Sequence, residues 1–481
     1  MSVVAHRVFC ISDLHLGGNY ATSDKAGERG FRLCTQTPRL ASFIQRLAQE
    51  GNIGAKTCEL VINGDFIDFL AEDWGGESSW VPFVSADKPA AARLSEIVAR
   101  DQVVFDALRE FLAAGHSLTI LLGNHDVELS LPAVQRGLER VLDTDGKRFR
   151  FISDGQAYVI GPVIIEHGNR YDGWNVIDHD GLRRTRSAQS RGEVLSQDRS
   201  FCPPAGSLMV ANVMNHIKSR YPFVDLLKPE NEATIPLLLT LAPEYRDHLM
   251  QVMKLGVQAY RHTPNRDGEH PYLGDIAGEG AESALSNLLE SHVSKEEVRE
   301  FFGLLGEALP SHTGRFQDEI AGMTFAGALS LFPVVTGSSS TPLSERLPAL
   351  LTALITLRDE RPFLITQENE EYLKPAKRLI ERGFKVVLFG HTHLAKKVPI
   401  SQGLYLNTGT WADLIRFPYE QLSQDRTRAL HWLTGFAREL ESGRIEQHII
   451  RIPTYAHVDL SDDGVVLTAD LHEFSMERQL I

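Results

Sequence analysis

The residues of this chain whose types and spacing could do chemistry form five short clusters. They are Asp13 with His15, Asp65 with Asp68, Asn124 with His125, His167, and His391 with His393. Asp13-Leu14-His15 and His391-Thr392-His393 each put two side chains on one side of an extended segment, because residues i and i+2 face the same way. Taken singly the clusters say little. Gly123-Asn124-His125-Asp126 reads as a polar turn, and His167 as a hydrogen-bonded polar residue. Taken together they offer three carboxylates, one amide and five imidazoles, a set that is costly to gather in one crevice unless a cation binds it. Mixed oxygen and imidazole donors suit manganese, iron or zinc better than magnesium, which prefers oxygen and water.

Each cluster directly follows an apolar, strand-like run. These runs are Val3 to Ile11, Cys58 to Ile62, Leu118 to Leu122, Ala157 to Glu166 and Phe384 to Phe389. Helical patterns separate them: Pro38 to Glu50, with Leu40, Phe43, Ile44 and Leu47 at helical spacing, one long helix over Ala90 to Ala114, Ala133 to Leu142, and Glu370 to Arg382. Alternation of strand, polar loop and helix predicts an α/β sheet, whose ligand sites lie at the carboxyl ends of the strands. Further strands are expected at Phe149 to Ser153 and Leu404 to Asn407, a last helix at Gln424 to Ser442, and a hairpin with arms Gln447 to Leu460 and Val465 to Leu471. Between Gly173 and Gln367 the pattern turns helical, with candidate helices at Leu208 to Arg220, Pro243 to Tyr260, Glu279 to Leu289 and Lys295 to Leu309. This predicts three parts: a core over 1–172, a helical insertion over 173–367, and a second piece of the core over 368–481.

Composition narrows the function. With 481 residues, 43% hydrophobic and 23% charged, the chain has ample material for a core. A net charge of −14 disfavours avid non-specific binding to nucleic acid. Cys10, Cys34, Cys58 and Cys202 include no Cys-x-x-Cys pair, which fits a reducing cytoplasm. The first residues run straight into a strand, with no signal-peptide pattern. Ile320 to Ser344 is free of charge but carries Pro333 and three glycines, so a buried small-residue helix is expected there rather than a membrane span.

The five clusters, in order, resemble the motifs of the calcineurin-like metallophosphoesterase superfamily: Asp-x-His, Gly-Asp-x-x-Asp, Gly-Asn-His-Asp/Glu, His, and Gly-His-x-His. The resemblance covers about 1–175 and 365–415. The opening Ser12-Asp13-Leu14-His15-Leu16-Gly17 is similar to bacterial pyrophosphatase and phosphodiesterase branches. The resemblance implies a layered α/β core with central β-sheets, here carrying a large helical insertion, and two divalent metal ions, manganese first and iron or zinc as alternatives. It implies that Asp13, His15 and His393 hold one metal, that Asn124, His167 and His391 hold the other, and that Asp65 bridges them. It also implies that His125 stands beside the scissile phosphate as general acid, with Asp68 orienting it, while Asp126 supports the loop. The reaction so implied is cleavage of a phosphodiester or pyrophosphate bond, in a nucleotide-like or small-molecule substrate, by a metal-bridging hydroxide.

Substrate contacts are sought next to His167, at Arg170 and Tyr171, and at the start of the insertion, where Arg183 and Arg184 lie among Arg186 and Arg191. Ion pairs of this arginine cluster with Asp178, Asp180 or Glu193 are the alternative reading. Trp74, Trp80 and Trp174 lie on loops near the clusters and either stack on a base or pack the loops. The insertion is expected to cap the crevice or to make a homo-oligomer or protein contact. Two rival functions follow from the same residues. One is a DNA or RNA nuclease with the same metal core, which should show a basic groove. The other is a non-catalytic scaffold, which should have lost ligands, and none is lost.

Overall fold

The computed structural model describes residues 4–20, 30–75, 80–142, 147–196, 199–229, 233–243, 342–358, 360–423 and 425–476. The candidate helices beyond 243 and most of the uncharged stretch from Ile320 lie outside the described residues. The chain forms two compact units: 1–220 with 361–413 and 450–481, and 221–360 with 414–449.

The first unit holds every residue of the five clusters. Its larger sheet contains β1 (Val4–Ile11), β2 (Ala55–Asn63), β3 (Ser117–Leu121) and β4 (Phe149–Ile152) in parallel succession. A smaller sheet is built from β5 (Tyr158–Ile160), β6 (Val163–Ile165), β7 (Val386–Phe389), β8 (Ala395–Ile400) and β9 (Gly403–Thr408), in the order β8-β9-β7-β6-β5. The hairpin of β10 (Thr454–Ser461) and β11 (Val466–Glu473) completes the larger sheet, with β10 antiparallel to the free side of β1.

The strands read as unbroken apolar runs because both of their faces are covered. Val8 and Cys10 of β1, Val61 of β2, Val163 and Ile165 of β6, and Val386 and Leu388 of β7 form one cluster between the sheets. Their neighbours face the other way: Phe9, Ile11, Leu60 and Ile62 meet helices on the far side of the larger sheet. Ile164, Val387 and Phe389 do the same on the smaller one. The result is a helix–sheet–sheet–helix stack. On the first outer face lie α1 (Thr37–Glu50), α2 (Asp87–Arg100), α3 (Gln102–Ala113) and α4 (Pro132–Val141). α1 buries Leu40, Phe43, Ile44 and Leu47, the stripe its spacing predicts; each such side chain contributes roughly 1.5–3 kcal/mol by leaving water. A further helix, Glu370–Glu381, covers the smaller sheet with Tyr372, Ala376 and Leu379.

Two elements depart from the sequence expectation. The single helix over Ala90 to Ala114 is two helices that break at Asp101. Asp101 is fully buried, and its carboxylate accepts from Gly17 N at 3.1 Å and pairs with Arg32. Turning that side chain inward to hold the loop after His15 interrupts the helix. The run Ala157 to Glu166 is two short antiparallel strands, β5 and β6, folded at Gly161-Pro162. Gly161 takes a φ of +55°, which a glycine supplies and a continuous strand would not contain.

In the second unit, Leu343–Leu357 buries Leu347, Leu350, Leu351 and Leu354. Arg426–Ser442 is capped by Asp425, whose carboxylate accepts from Thr427 N and Arg428 N, and is ended by Gly443 at φ +71°. Leu414–Arg416 pairs in parallel with Leu227–Lys228. Among the described residues no helix is long and apolar enough to cross a membrane.

Candidate metal centre

The parallel strands deliver the five clusters to one place. Asp13 and His15 follow β1, Asp65 and Asp68 follow β2, Asn124 and His125 follow β3, His167 follows β6, and His391 and His393 follow β7. Five of these residues have left-handed backbones: Asp13 (φ +53°), His15 (+44°), Asp65 (+49°), His391 (+72°) and His393 (+61°). Such a conformation costs a non-glycine residue on the order of 1–3 kcal/mol and persists only where its surroundings over-determine it. Here the first two loops bind each other: Leu14 N and His15 N both donate to Asp65 O at 2.9 Å, and Asp68 N donates to Leu16 O at 2.7 Å. Thr410 Oγ1 donates to Asp13 O at 2.6 Å, so the Thr408-Gly409-Thr410-Trp411 turn clasps the first loop.

Two glycines leave space that a side chain would close. A Cβ on Gly123 would lie 2.1 Å from Asp65 Oδ1, and one on Gly64 (φ +81°) would lie 2.4 Å from His167 Nδ1. The small residue in each motif is therefore required by the close approach of a candidate ligand side chain.

The candidate ligand atoms fall into two groups. One donor atom each from Asp13, His15 and His393 lie within 4.8 Å of one another, as do those of Asp65, His167 and His391. His15 Nε2 faces His393 Nε2 at 2.9 Å, and His393 Nε2 is 3.5 Å from Asp13 Oδ1. Asp65 Oδ2 lies between the groups, 3.8 Å from His15 Nε2 and 3.3 Å from His167 Nε2. His167 Nδ1 donates to Asn63 O at 2.8 Å, which leaves its Nε2 as the lone-pair nitrogen. That Nε2 and Asn124 Oδ1 are both buried without a hydrogen-bond partner. Orphaned, buried acceptors fit a bound cation, and the mixed oxygen and nitrogen set fits a divalent transition metal.

A third group, His15, Asp68 and His125, has a different character. The Asp68 carboxylate accepts from His15 Nδ1 at 3.1 Å, His125 Nδ1 at 3.0 Å and Ala71 N at 3.0 Å. It orients two imidazoles rather than offering a free oxygen. Burial would raise the Asp68 carboxyl, but His125 and His15 outweigh it and hold it far below the usual carboxylate range. Burial in turn opposes a charge on His125, and Asp68 and Asp65 override it, raising the imidazole to about 9. The His125 side chain is 18% exposed against 1% for His15, so it is the histidine of this trio that a substrate can reach.

Asp126 holds the loop: Oδ1 accepts from Gly123 N at 2.7 Å and Oδ2 from Phe66 N at 2.8 Å. Burial and the nearby Asp65 charge raise its carboxyl to about 7. The other sequence candidates have carboxylate partners. Arg170 Nη1 is 3.5 Å from Glu166 Oε2, and Tyr171 OH donates to Glu166 Oε1 at 2.5 Å. Arg183 pairs with Asp180 at 3.9 Å, Arg184 with Asp178 at 3.7 Å and Arg191 with Glu193 at 2.9 Å. Trp74 lies under the Arg93 guanidinium at 4.7 Å, and Trp80 packs on Phe31 and His216, so both pack loops.

Three residues at the centre carry no sequence signal of their own. Asp172 Oδ2 accepts from His391 Nε2 at 2.9 Å, and Asn175 Oδ1 accepts from Asn124 Nδ2 at 3.3 Å. Lys218 is buried on a short helix whose Asn215 Nδ2 donates to Leu70 O at 2.6 Å, and its charge opposes that of His125.

Comparison with known proteins agrees with the geometry. No curated protein matches the chain. A family model described as calcineurin-like phosphoesterase matches residues 6–230, a span that contains every cluster except His391 and His393, which the fold returns to the same site. The chain thus carries a calcineurin-like phosphoesterase domain and is a metal-dependent phosphoric ester hydrolase.

Proposed function

We propose that the chain hydrolyses a phosphodiester or pyrophosphate bond in a nucleotide-like or small-molecule substrate, with His125 as general acid. The observation that carries this reading is the position of Asp65 Oδ2 between two ligand groups, with the partly exposed His125 held against the same carboxylate cluster. Asp13, His15 and His393 would hold one divalent ion, Asn124, His167 and His391 a second, and Asp65 would touch both. Bound there, such ions supply Lewis acidity toward phosphoryl oxygens and acidify a water to about neutral pH. Manganese is the ion proposed, on the ground of the mixed donors.

The protein's own residues do the rest. The Asp68 carboxylate accepts a hydrogen bond from His125 Nδ1–H, which leaves Nε2–H as the donor to a leaving oxygen. His125 N donates to Asp65 Oδ1 at 2.9 Å, which fixes the histidine's backbone to the ligand it works beside. Arg170, 43% exposed and on the loop that follows His167, is proposed with Tyr171 as a phosphate contact. A net charge of −14 supports a small substrate over a nucleic acid. The free cysteines, three of them buried, support a reducing, cytoplasmic setting.

The test is a substrate panel with added manganese: a monoester, a simple diester, a nucleotide pyrophosphate, cyclic nucleotides, and single- and double-stranded DNA, with His125→Ala as control. Turnover of a small diester or pyrophosphate that the variant loses is expected. Cleavage of DNA alone would overturn the substrate class.

A further inference from the structure

A metal-binding imidazole uses one nitrogen for the ion and needs an acceptor for the N–H on the other. A metal-binding amide likewise must turn its oxygen inward and find an acceptor for its NH₂. For His15 and His167 those acceptors are Asp68 and the Asn63 carbonyl. His391 and Asn124 depend instead on one loop, Gly168 to Asn175, which follows His167.

Asp172 Oδ2 accepts from His391 Nε2 at 2.9 Å and also from Asn175 Nδ2 at 2.6 Å. With its NH₂ so engaged, Asn175 presents only Oδ1 on its other side, where Asn124 Nδ2 donates at 3.3 Å. Asn124 Oδ1 is left buried and without a hydrogen-bond partner, as a ligand oxygen awaiting a cation would be. The chain His391–Asp172–Asn175–Asn124 joins two candidate ligands that come from different sheets and lie more than 260 residues apart. One carboxylate oxygen sets the tautomer of the first and, through an amide, the flip of the second. The loop is pinned in turn: Asp172 Oδ1 accepts from Trp174 N at 2.9 Å, and Asn169 Nδ2 donates to Asn175 O at 2.8 Å. A Cβ on Gly206 would lie 2.2 Å from Asn175 Oδ1, so the neighbouring backbone closes on the amide from one side.

We propose that Asp172 and Asn175 are positioning residues that set the affinity of one of the two metal positions, the one formed by Asn124, His167 and His391, and leave the other unaffected. This rests on the two-metal reading above. Asp172→Asn keeps the size of the side chain but replaces one oxygen by NH₂: if the remaining oxygen serves His391 and Asn175, the NH₂ meets the Trp174 N–H, and if it serves Trp174, the NH₂ meets His391 and Asn175, so a donor faces a donor either way. Asn175→Ala removes only the Asn124 end of the relay.

The experiment is a manganese titration of the chelated, full-length protein, followed by the loss of the free-ion electron paramagnetic resonance signal, together with the unfolding midpoint of the metal-free protein. Wild type is expected to take up two ions. Asp172→Asn should bind one of them about 10–100-fold more weakly, in the range typical for lost partners of metal ligands. Asn175→Ala should weaken the same ion, and the double variant should be no worse than Asp172→Asn alone, since both act on one relay. A merely structural role would lower the metal-free midpoints and leave the affinity for both ions as in wild type. Two ions bound with wild-type affinity by both single variants would overturn the proposal while leaving the metal reading intact. Lowered metal-free midpoints with unaltered affinity would also overturn it. Failure of wild type to bind manganese would instead remove the reading on which it rests.

Discussion

Replacing Asp68 by Asn tests the acid role of His125 without removing the histidine. The Asp68 carboxylate is the strongest of the charges that lift His125 from its ordinary 6.5 to about 9. That lift corresponds to roughly 3 kcal/mol of preference for the protonated ring, at about 1.4 kcal/mol per pH unit. At pH 8 a group titrating near 9 is about 90% protonated and one near 6.5 about 3%; Asp65 retains part of the lift, so the supply of acid falls by at most roughly 30-fold. Loss of the fixed orientation adds to this, because the amide cannot accept from both His125 Nδ1 and His15 Nδ1 as the carboxylate does; a total loss of about 100-fold is expected. The sign is fixed: an acid acts while protonated, so activity holds below its pKa and falls as pH rises through it. Bound cations near Asp65 pull the value down in both proteins, so the quantity predicted is the displacement of the alkaline limb, one to two pH units lower in the variant, an order-of-magnitude figure. The assay is kcat/KM against pH for two esters at saturating manganese, one with an aryl leaving group and one with an alkyl leaving group. The aryl ester needs little protonation and should lose much less. An unmoved alkaline limb, or equal losses on both esters, would refute the assignment of His125 as the acid.

Asp65→Asn and His125→Ala should each lower turnover by at least ~100-fold, measured as initial rates on the best substrate of the panel; near-wild-type rates in either would remove it from the centre. Chelation should lower the unfolding midpoint, because an ion that binds only the folded chain stabilises it by about 2.7 kcal/mol at a hundred times its Kd; identical midpoints with and without chelator would contradict a metal-filled site. Glu128 is buried with Oε2 unpartnered, and burial raises its carboxyl from 4.5 to about 8. Between those values the folded chain keeps a proton that the unfolded chain releases, so stability declines as pH rises, by up to about 1.4 kcal/mol per pH unit. Glu128→Gln should flatten the decline of the unfolding midpoint from pH 5 to 8.5; parallel curves for the two proteins would rule Glu128 out as its source.

The positions of the candidate ligands in the fold were legible because each follows a strand that is apolar on both faces, as Val8 to Ile11 and Val386 to Phe389 are. Their convergence is a property of parallel strands and needs no distant information. Elements fixed by a single inward-turned polar residue were not legible. Nothing local to Ala90–Ala114 distinguishes Asp101 from any other aspartate in a helix; its role comes from Gly17 and Arg32, far away in sequence. Gly161-Pro162 was hidden inside an apolar run, and with it the short second sheet edge. In Gly168-Asn169-Arg170-Tyr171-Asp172 the cation drew attention as a phosphate contact, yet it is Asp172 that reaches His391, and its partner lies beyond 200 intervening residues. Asn175 and Lys218 had no pattern to mark them.

The place of β1 in its sheet bears on how the chain is made. One side of β1 pairs with β2, about 50 residues later, but the other pairs with β10, which begins some 440 residues after β1 ends. At about 5–20 residues per second, the ribosome takes roughly 20 to 90 seconds to deliver that second neighbour. For that interval the strand that carries Asp13 has an open hydrogen-bonding edge, flanked by Val8 and Phe9 that are fully covered in the finished fold. His391 and His393 arrive only a little earlier. A nascent chain therefore holds its first three motifs in register long before the centre can close, and during that time an edge-masking chaperone would have its natural target at residues 4–11.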